Sequence, residues 1–170
     1  MRLELPPGAL VVLVGPSGSG KSTFAARHFS ATQVLSSDSM RAVVSDDSND
    51  QGATDAAFDL LHVALGLRLA RGRLTVVDAT SVEGWAREQL LAAARRHHRP
   101  AVAIAFDLPL ATCLERNGSR TDRRVPAAAI RRQHARMRTS LPGLAAEGFD
   151  PVVVLSTEAA VRAVRVALPG

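Results

Sequence analysis

Glycines, a lysine and a serine occur at a fixed spacing near the start of the chain. Residues 15–22 have the sequence Gly-Pro-Ser-Gly-Ser-Gly-Lys-Ser, which matches the pattern G-x-x-x-x-G-K-[ST]. Backbone N–H groups of such a loop, with the first turn of the helix after it, converge on one anion. Lys21 is predicted to reach the β- and γ-phosphates, and the Ser22 hydroxyl to bind Mg²⁺. Residues 15–22, here called the P-loop, therefore predict a nucleoside triphosphate site formed by Gly15, Ser17, Gly18, Ser19, Gly20, Lys21 and Ser22.

An acid and an arginine follow a second predicted strand. Asp38 and Arg41 are three residues apart, so a helix that begins here places them on neighbouring faces. They follow the carboxyl end of a strand, the edge at which open α/β sheets bind ligands. Asp38 is then a candidate general base for an attacking hydroxyl, and Arg41 a candidate clamp for the acceptor or its phosphate. The alternative is that Asp38 caps the helix and Arg41 is an exposed helix residue.

A further carboxylate ends a buried strand. The strand closes on Asp78 and continues as Ala79 and Thr80, without the following glutamate that many hydrolases use to activate water. Transfer of a phosphoryl group to an alcohol is therefore favoured over hydrolysis. Asp78 is a candidate to support Mg²⁺ through water, and its alternative is a helix-capping or loop carboxylate.

An arginine-rich segment, residues 116–125, is predicted to be a lid. A short helix over 111–117 is expected to stop at Gly118. Arg116, Arg120 and Arg123 are spaced four and three residues apart, so a continuous helix would point them in one direction, over the triphosphate. Arginines supplied in this way stabilise the charge of a phosphoryl-transfer transition state. The alternative is a charged, solvated turn.

These candidates need a scaffold, and the chain alternates β-branched runs with helical patterns, as βαβ units do. The predicted strands are 9–14, 33–35, 74–78, 101–106 and 152–155, and several are apolar throughout, as strands covered on both faces are. Helices are expected over 22–29 and 55–71, from near Pro126, and in the other intervals, whereas 45–54 is predicted to be a mobile loop. We therefore expect an α/β, P-loop NTPase-type three-layer fold, with a central parallel sheet of about five strands, helices on both faces and the lid.

Composition narrows the function further. The 170 residues, 46% hydrophobic and 22% charged, predict one globular domain over 1–170. This length argues against transporter ATPases, motors and ring ATPases. No stretch is apolar for long enough to span a membrane, no signal peptide is predicted, and the single cysteine permits no internal disulfide. A cytoplasmic protein with no membrane partner is expected.

The charge is unevenly distributed. Eleven arginines and three carboxylates lie between Arg95 and Arg138, whereas six aspartates and one arginine lie between Asp38 and Asp59. A basic segment fits a polyanionic partner, and its alternative is a solvated helical face. Aromatic residues are only 4%, so contacts with a nucleic acid are expected to be made mainly to phosphates.

Taken together, these residues resemble the kinase module of the bacterial polynucleotide kinase-phosphatase family, which heals broken RNA ends. The resemblance covers nearly the whole chain and rests on residues 15–23, the Asp38/Arg41 pair, residues 76–80 and residues 113–125. Two positions depart from the family pattern, namely Pro16, where a small residue is frequent, and Ser81, where asparagine is common.

The resemblance implies a kinase that transfers the γ-phosphate of ATP or another NTP, with Mg²⁺, to a 5′-hydroxyl end of RNA or DNA. In it Asp38 is the general base, Arg41 secures the acceptor end, and Arg116 and Arg120 engage the donor phosphates, while Thr23 joins the P-loop residues at the nucleotide. Family members commonly carry phosphatase and ligase modules downstream. Two alternatives remain open: a small-metabolite kinase acting on a sugar acid or similar compound, and a nucleotide-dependent switch without enzymatic activity.

Overall fold

A parallel sheet is the centre of the computed structural model, which describes residues 1–168. The strands are β1 (Arg2–Glu4), β2 (Leu10–Val14), β3 (Val34–Ser36), β4 (Thr75–Asp78), β5 (Ala101–Phe106), β6 (Val152–Leu155) and β7 (Arg165–Ala167). Within the described residues, five of these form one parallel sheet in the order β3-β4-β2-β5-β6. The predicted central sheet of about five parallel strands is thus confirmed.

The strand order places the ends of three strands side by side. In the register of the sheet, Asp78 of β4 lies between Leu13 of β2 and Ser36 of β3. The P-loop follows β2 directly, and the Asp38/Arg41 segment follows β3 directly. The side on which the chain adds strands also changes at β2, because β3 and β4 lie on one side of it and β5 and β6 on the other. Such a switch point is where open α/β sheets bind ligands.

Helices cover both faces of this sheet. They are α1 (Lys21–His28), α2 (Ser37–Ser45), α3 (Thr54–Ala70), α4 (Gly84–Arg96), α5 (Leu110–Ser119), α6 (Ala127–Ser140), α7 (Leu144–Glu147) and α8 (Glu158–Ala163). Alternate residues of β2 point to opposite faces, as the pleat of a strand requires. Val12 packs in a core with Leu61 and Leu65 of α3, and Val11 packs in a second core with Phe24 of α1. The result is the predicted three-layer arrangement.

The ends of several predicted elements need correction. Ala9, Gln33 and Leu74 lie outside the strands, and Pro126 is the residue before α6 rather than part of its first turn. The helix expected to stop at Gly118 continues to Ser119, because Gly118 does not adopt the positive φ with which a glycine ends a helix.

The segment 45–54 is also more ordered in its secondary structure than the predicted loop. Helix α2 includes Ser45, a 3₁₀ turn covers Gln51–Ala53, and α3 already begins at Thr54. The Asp50 side chain accepts a hydrogen bond from the Gly52 N–H, at 2.9 Å, and so caps that turn.

Two short strands lie outside the central sheet. Strands β1 and β7 pair in parallel with each other, although they are short and come from opposite ends of the chain. Neither strand was predicted from the sequence. None of the helices within residues 1–168 combines the length and the apolar character that a membrane crossing requires. The predicted domain 1–170 also includes residues 169 and 170, which lie outside the described part.

A buried ion pair joins two helices beneath the carboxyl edge of the sheet. Arg87 of α4 is 1% exposed and donates to both carboxylate oxygens of Glu147 in α7, at 2.7 and 2.6 Å. It also donates to the Ser81 carbonyl at 3.0 Å. Ser81 has a φ of 49°, in the left-handed region that asparagine adopts more readily than serine, which gives a physical reason for asparagine at this position in the resembling family.

The buried pair predicts an unequal response to removal of two glutamates. Glu147→Ala leaves the Arg87 guanidinium buried without its partner, and should lower the free energy of unfolding by about 3 kcal/mol. The control is Glu88→Ala, which removes the exposed partner of Arg95 and should cost less than about 1 kcal/mol. Urea denaturation of the two variants measures the difference, and equal losses would contradict it.

Candidate functional site

The P-loop is formed by the turn between β2 and α1. The Gly15 N–H donates to the Thr80 carbonyl at 2.9 Å, which fixes the start of the loop to the segment after β4. Gly18 and Gly20 have φ values of 81° and 92°, in the left-handed region that favours glycine. Helix α1 begins at Lys21, so its first N–H groups point toward the space enclosed by the loop.

Lys21 is buried at this turn and is 7% exposed. Its ammonium donates to the carbonyl oxygens of Gly15 and Pro16, at 2.8 and 2.9 Å. Burial lowers the pKa of Lys21 to about 8, although the nearby carboxylate of Asp78 acts in the opposite direction. The charge of this ammonium is therefore easily lost in weakly basic solution, and a phosphate group would favour keeping it.

Asp78 lies beside Lys21 and Ser22 at the end of β4. Burial raises the pKa of the Asp78 carboxyl, and a hydrogen bond from the Ser22 side chain and the charge of Lys21 act against this effect. The site thus offers a hydroxyl oxygen and a carboxylate oxygen beside the P-loop. Oxygen donors of this kind suit Mg²⁺, which is commonly held by one or two protein oxygens and completes its shell with water and phosphate.

Asp38 and Arg41 lie in the first turns of α2 and form an ion pair. The helix is capped by Ser36, whose hydroxyl accepts from the Ser39 N–H at 3.4 Å, so Asp38 is not the capping residue. Arg41 is 4% exposed, which differs from the alternative of an exposed helix residue. Its Nε also donates to the Ser48 carbonyl, at 2.9 Å, and this bond holds the guanidinium in place.

Arg123 of the lid reaches the same carboxylate. Both guanidiniums, from Arg41 and Arg123, bind the single oxygen Oδ1 of Asp38. No donor within residues 1–168 forms a hydrogen bond with Oδ2. The carboxylate is thus oriented by two charge-assisted bonds on one side and has an oxygen available on the other.

The other two lid arginines have different partners. Arg116, in the last turn of α5, pairs with Glu158 of α8 at 3.2 Å. Arg120 donates to both oxygens of Asp122, at 3.1 and 2.8 Å, and this pairing lowers the pKa of the Asp122 carboxyl to about 2. The continuous helix that would point all three arginines in one direction does not form, because α5 ends at Ser119 and only Arg116 is helical.

Two close contacts position the lid. The Cys113 carbonyl of α5 lies so close to Gly18 that a Cβ atom there would collide with it, and a guanidinium nitrogen of Arg116 lies 3.2 Å from the Cβ position of Gly20. The Asn117 amide then donates to the Val125 carbonyl at 2.8 Å and accepts from the Val125 N–H at 2.9 Å. The glycines therefore allow α5 to lie directly on the P-loop, and Asn117 closes the base of the lid.

The predicted residues surround one cleft of about 690 Å³ at the carboxyl edge of the sheet. Those that line it are Ser17, Gly18, Gly20, Lys21, Ser22, Thr23, Asp38, Arg41, Asp78, Arg116, Arg120 and Arg123. Gly15 and Ser19 do not line it, and Ser19 is fully buried behind the loop. The cleft combines many N–H and cationic donors with the carboxylates of Asp38 and Asp78. Such a site can bind a phosphate chain at one end and orient a hydroxyl at the other.

Several residues of this site were not predicted from the sequence. Gln133 of α6 accepts a hydrogen bond from the P-loop, Asn117 closes the lid, and Glu158 and Arg162 of α8 line the cleft. Gln133, Glu158 and Arg162 belong to no motif, and Asn117 lies within the predicted lid, but its contact with Val125 forms only when the lid folds. Among the described residues, no three His, Cys, Asp or Glu side chains lie close enough together to form a metal site by themselves.

The fold and the cleft together define a P-loop kinase-like domain. The sequence profile of the family described as AAA domain matches residues 10–142, so the chain belongs to the AAA domain family. The family description names no reaction. That the chain is not a ring ATPase, as expected from its length, stays a prediction. No curated protein sequence matches the chain significantly.

Solved structures share the fold at low sequence identity. A chain of the Pnkp1/Rnl/Hen1 RNA repair complex has a TM-score of 0.70 at 20% identity, and the match covers 82% of this chain and 47% of that one. A gluconokinase from Sinorhizobium meliloti 1021 has a TM-score of 0.56 at 19% identity, covering 93% and 90% of the two chains. The Mycobacterium tuberculosis APS kinase, in complex with AMPPNP and APS, has a TM-score of 0.52 at 23% identity, covering 68% and 71%. The chain thus spans about half the length of the RNA repair chain, and the likenesses confirm the predicted P-loop NTPase-type fold.

Two glycine substitutions test the contact between the P-loop and α5. Gly18→Ala places a methyl group against the Cys113 carbonyl at a positive φ, and should cost about 2 kcal/mol or more of stability and weaken ATP binding. Gly118→Ala, in open space within α5, should instead stabilise the protein by about 0.5–1 kcal/mol. Thermal unfolding and calorimetric ATP titration measure both effects. A Gly18→Ala protein as stable as wild type would show that α5 does not lie on the loop.

The lowered pKa of Lys21 predicts how ATP binding depends on pH. The free protein loses the ammonium proton as the pH rises through about 8, whereas bound phosphate requires that proton. The affinity for ATP should therefore stay nearly constant from pH 7 to 7.5 and fall above pH 8, by up to about tenfold per pH unit. Calorimetric titrations between pH 7 and 9.5 measure this dependence. An affinity that does not change across that range would refute the buried-ammonium explanation.

Proposed function

We propose that this protein is a polynucleotide 5′-hydroxyl kinase, which transfers the γ-phosphate of ATP or another NTP to a 5′-OH end of RNA or DNA. The observation that carries the proposal is the position of Asp38. Its carboxylate lines the same cleft as Lys21 and is oriented through Oδ1 by Arg41 and Arg123, with Oδ2 available to a substrate. A P-loop alone supports only nucleotide binding, whereas an oriented carboxylate opposite it supports transfer to a hydroxyl.

The proposed reaction is a direct displacement at phosphorus. The 5′-hydroxyl oxygen attacks the γ-phosphorus and forms a new O–P bond, while the bond from the γ-phosphorus to the bridging oxygen breaks and ADP leaves. The hydroxyl proton passes to Oδ2 of Asp38, which is the base. Lys21, Arg116 and Arg120 stabilise the negative charge on the phosphate oxygens, and Arg41 holds the phosphate next to the acceptor end.

Ser22 and Asp78 are the residues that would hold Mg²⁺. Both residues line the cleft beside the P-loop, the Ser22 side chain lies near enough to lower the pKa of Asp78, and the donor type suits this ion. Asp78 would act through a water ligand. The ion would neutralise charge on the β- and γ-phosphates and orient them.

Charge distribution favours a polyanionic acceptor. The Arg41 guanidinium is buried beside the candidate base, where a phosphate one nucleotide from the 5′-hydroxyl would meet it. Arg131 and Arg132 on the exposed face of α6 form no ion pair with a carboxylate of residues 1–168. Cations of this kind bind the backbone of a nucleic acid without reading its sequence.

A second candidate is a kinase that acts on a small sugar acid. It is favoured by one observation: the match to the gluconokinase covers 93% of this chain and 90% of that enzyme. A small anionic acceptor would use Arg41 for its carboxylate rather than for a backbone phosphate. A nucleotide-dependent switch, the third alternative, transfers no phosphoryl group and so does not require an oriented Asp38 carboxylate.

The proposal predicts that Asp38→Asn abolishes transfer and leaves nucleotide binding intact. Transfer of label from γ-labelled ATP to a 5′-OH oligonucleotide should fall by about 10²–10⁴-fold, because the amide accepts no proton. Calorimetric ATP titration should give a Kd within about threefold of wild type. The matched control is Asp59→Asn, an exposed acid on α3, which should change neither quantity.

The same labelling assay identifies the acceptor when it is run with different acceptor substrates. A 5′-phosphate oligonucleotide should take no label, and the KM for the 5′-OH oligonucleotide should rise steeply with salt, since several phosphate contacts release counterions. Rapid labelling of gluconate with negligible labelling of oligonucleotides would establish the second candidate instead. Tight ATP binding with no labelling of either acceptor would favour the switch.

A further inference from the structure

Gln133 of α6 contacts the P-loop directly. Its side-chain oxygen Oε1 accepts a hydrogen bond from the Ser17 N–H at 2.9 Å, although the two residues are 116 positions apart in the chain. Gln133 also lines the cleft that contains Lys21 and the lid arginines. This contact belongs to neither the P-loop motif nor the lid, and the transfer reaction described above makes no use of it.

The contact with Ser17 determines which end of the amide faces the cleft. A backbone N–H is always a donor, so the atom of Gln133 that meets it must be the acceptor Oε1. The other end of the planar amide, Nε2, carries two N–H donors. No acceptor within residues 1–168 forms a hydrogen bond with Nε2. The structure thus has a neutral double donor at the cleft whose orientation is fixed.

The Gln133 amide lies at the part of the P-loop where the terminal phosphate is expected to bind. Lys21 donates to the Pro16 carbonyl, and Ser17 is the next residue, so Lys21 and Gln133 contact the same turn. The lysine of this motif reaches the β- and γ-phosphates. A donor on the same turn is therefore near the transferred group.

The helix that carries Gln133 is itself held in place. The neighbouring residue His134 forms a hydrogen bond through Nε2 with the Leu108 carbonyl at 3.0 Å, just after β5. Ile130 and Met137 of the same helix are fully buried. Little conformational entropy remains to be lost when the amide binds a ligand, and such preorganisation makes a donor effective at an oxygen that gains charge.

We propose that Gln133 binds the terminal phosphoryl group of the nucleotide, with Nε2 donating to a γ-phosphate oxygen while Oε1 holds the Ser17 N–H. The proposal rests on the nucleotide site of the proposed function and is independent of the acceptor. A neutral donor here adds a hydrogen bond without another positive charge in a cleft that already contains six guanidiniums and an ammonium among its described residues. Gln133 thus distinguishes a triphosphate from a diphosphate.

The test compares the binding of ATP and ADP by variants of Gln133, measured by calorimetry without any acceptor. Gln133→Glu keeps the size and an acceptor for Ser17 but replaces the donors of Nε2 by a carboxylate oxygen. It should weaken ATP binding at least tenfold more than ADP binding. Gln133→Met, which is neutral, removes the donors without adding charge and should lower the preference for ATP at least threefold. The matched control is Gln89→Glu, an exposed position on α4, which should leave the preference unchanged.

A purely structural role for Gln133 gives a different result. The glutamate variant, which can still accept from Ser17, would then bind ATP and ADP in the wild-type ratio, and this outcome overturns the proposal. Thermal unfolding of each variant shows whether the fold is retained. If one of the two Gln133 variants unfolds at a much lower temperature than the wild type, the comparison rests on the other. Failure of the wild-type protein to label oligonucleotides would refute the polynucleotide kinase but leave this test intact. Failure of the wild-type protein to bind ATP would overturn both.

Discussion

Burial of positive charge is the constraint on which the cleft depends. A cation removed from water needs a partner, and each cation here has an internal one. Lys21 donates to loop carbonyls, Arg116 pairs with Glu158, Arg120 pairs with Asp122, and Arg41 and Arg123 share Asp38. A phosphate chain would therefore exchange partners with groups that are already oriented, and two of them, Lys21 and Arg41, are already buried. The lowered pKa of Lys21 shows that its internal partners compensate only partly for burial.

Local signals in the sequence predicted the scaffold well. The five strands of the central sheet lie within one residue of their predicted ends, because β-branched apolar runs between turn residues give a strong local preference. The P-loop was predictable for the same reason, since its function depends on residues that are adjacent in the chain. The helix that carries Asp38 and Arg41 lies in an interval between strands, where a helix was expected. The roles of these side chains in catalysis stay a prediction that the labelling assay tests.

Contacts between segments that are distant in the chain could not be predicted from local sequence patterns. Gln133 differs in no way from a polar residue on the exposed side of an amphipathic helix, and only the folded chain brings it to Ser17. The stop expected at Gly118 was wrong because glycine ends a helix only where the backbone must turn to a positive φ, and here it does not. Strands β1 and β7 are short and carry charged residues, so their pairing depends on the ends of the chain meeting rather than on propensity.

The lid also links the two halves of the proposed reaction. Arg123 comes from the lid, yet its partner Asp38 is on the acceptor side, and the Asn49 amide donates to the Asp122 carbonyl of the lid at 3.2 Å. The lid therefore contacts the residues at both the donor end and the acceptor end of the cleft. Any displacement of the lid changes the contacts of the candidate base, because Arg123, one of the two guanidiniums that orient Asp38, belongs to the lid. Since Asn117 anchors the lid at its base, this coupling is carried by residues 120–124 rather than by α5 as a whole. An acceptor that binds Arg41 would thus meet a base whose orientation already depends on how the nucleotide holds the lid.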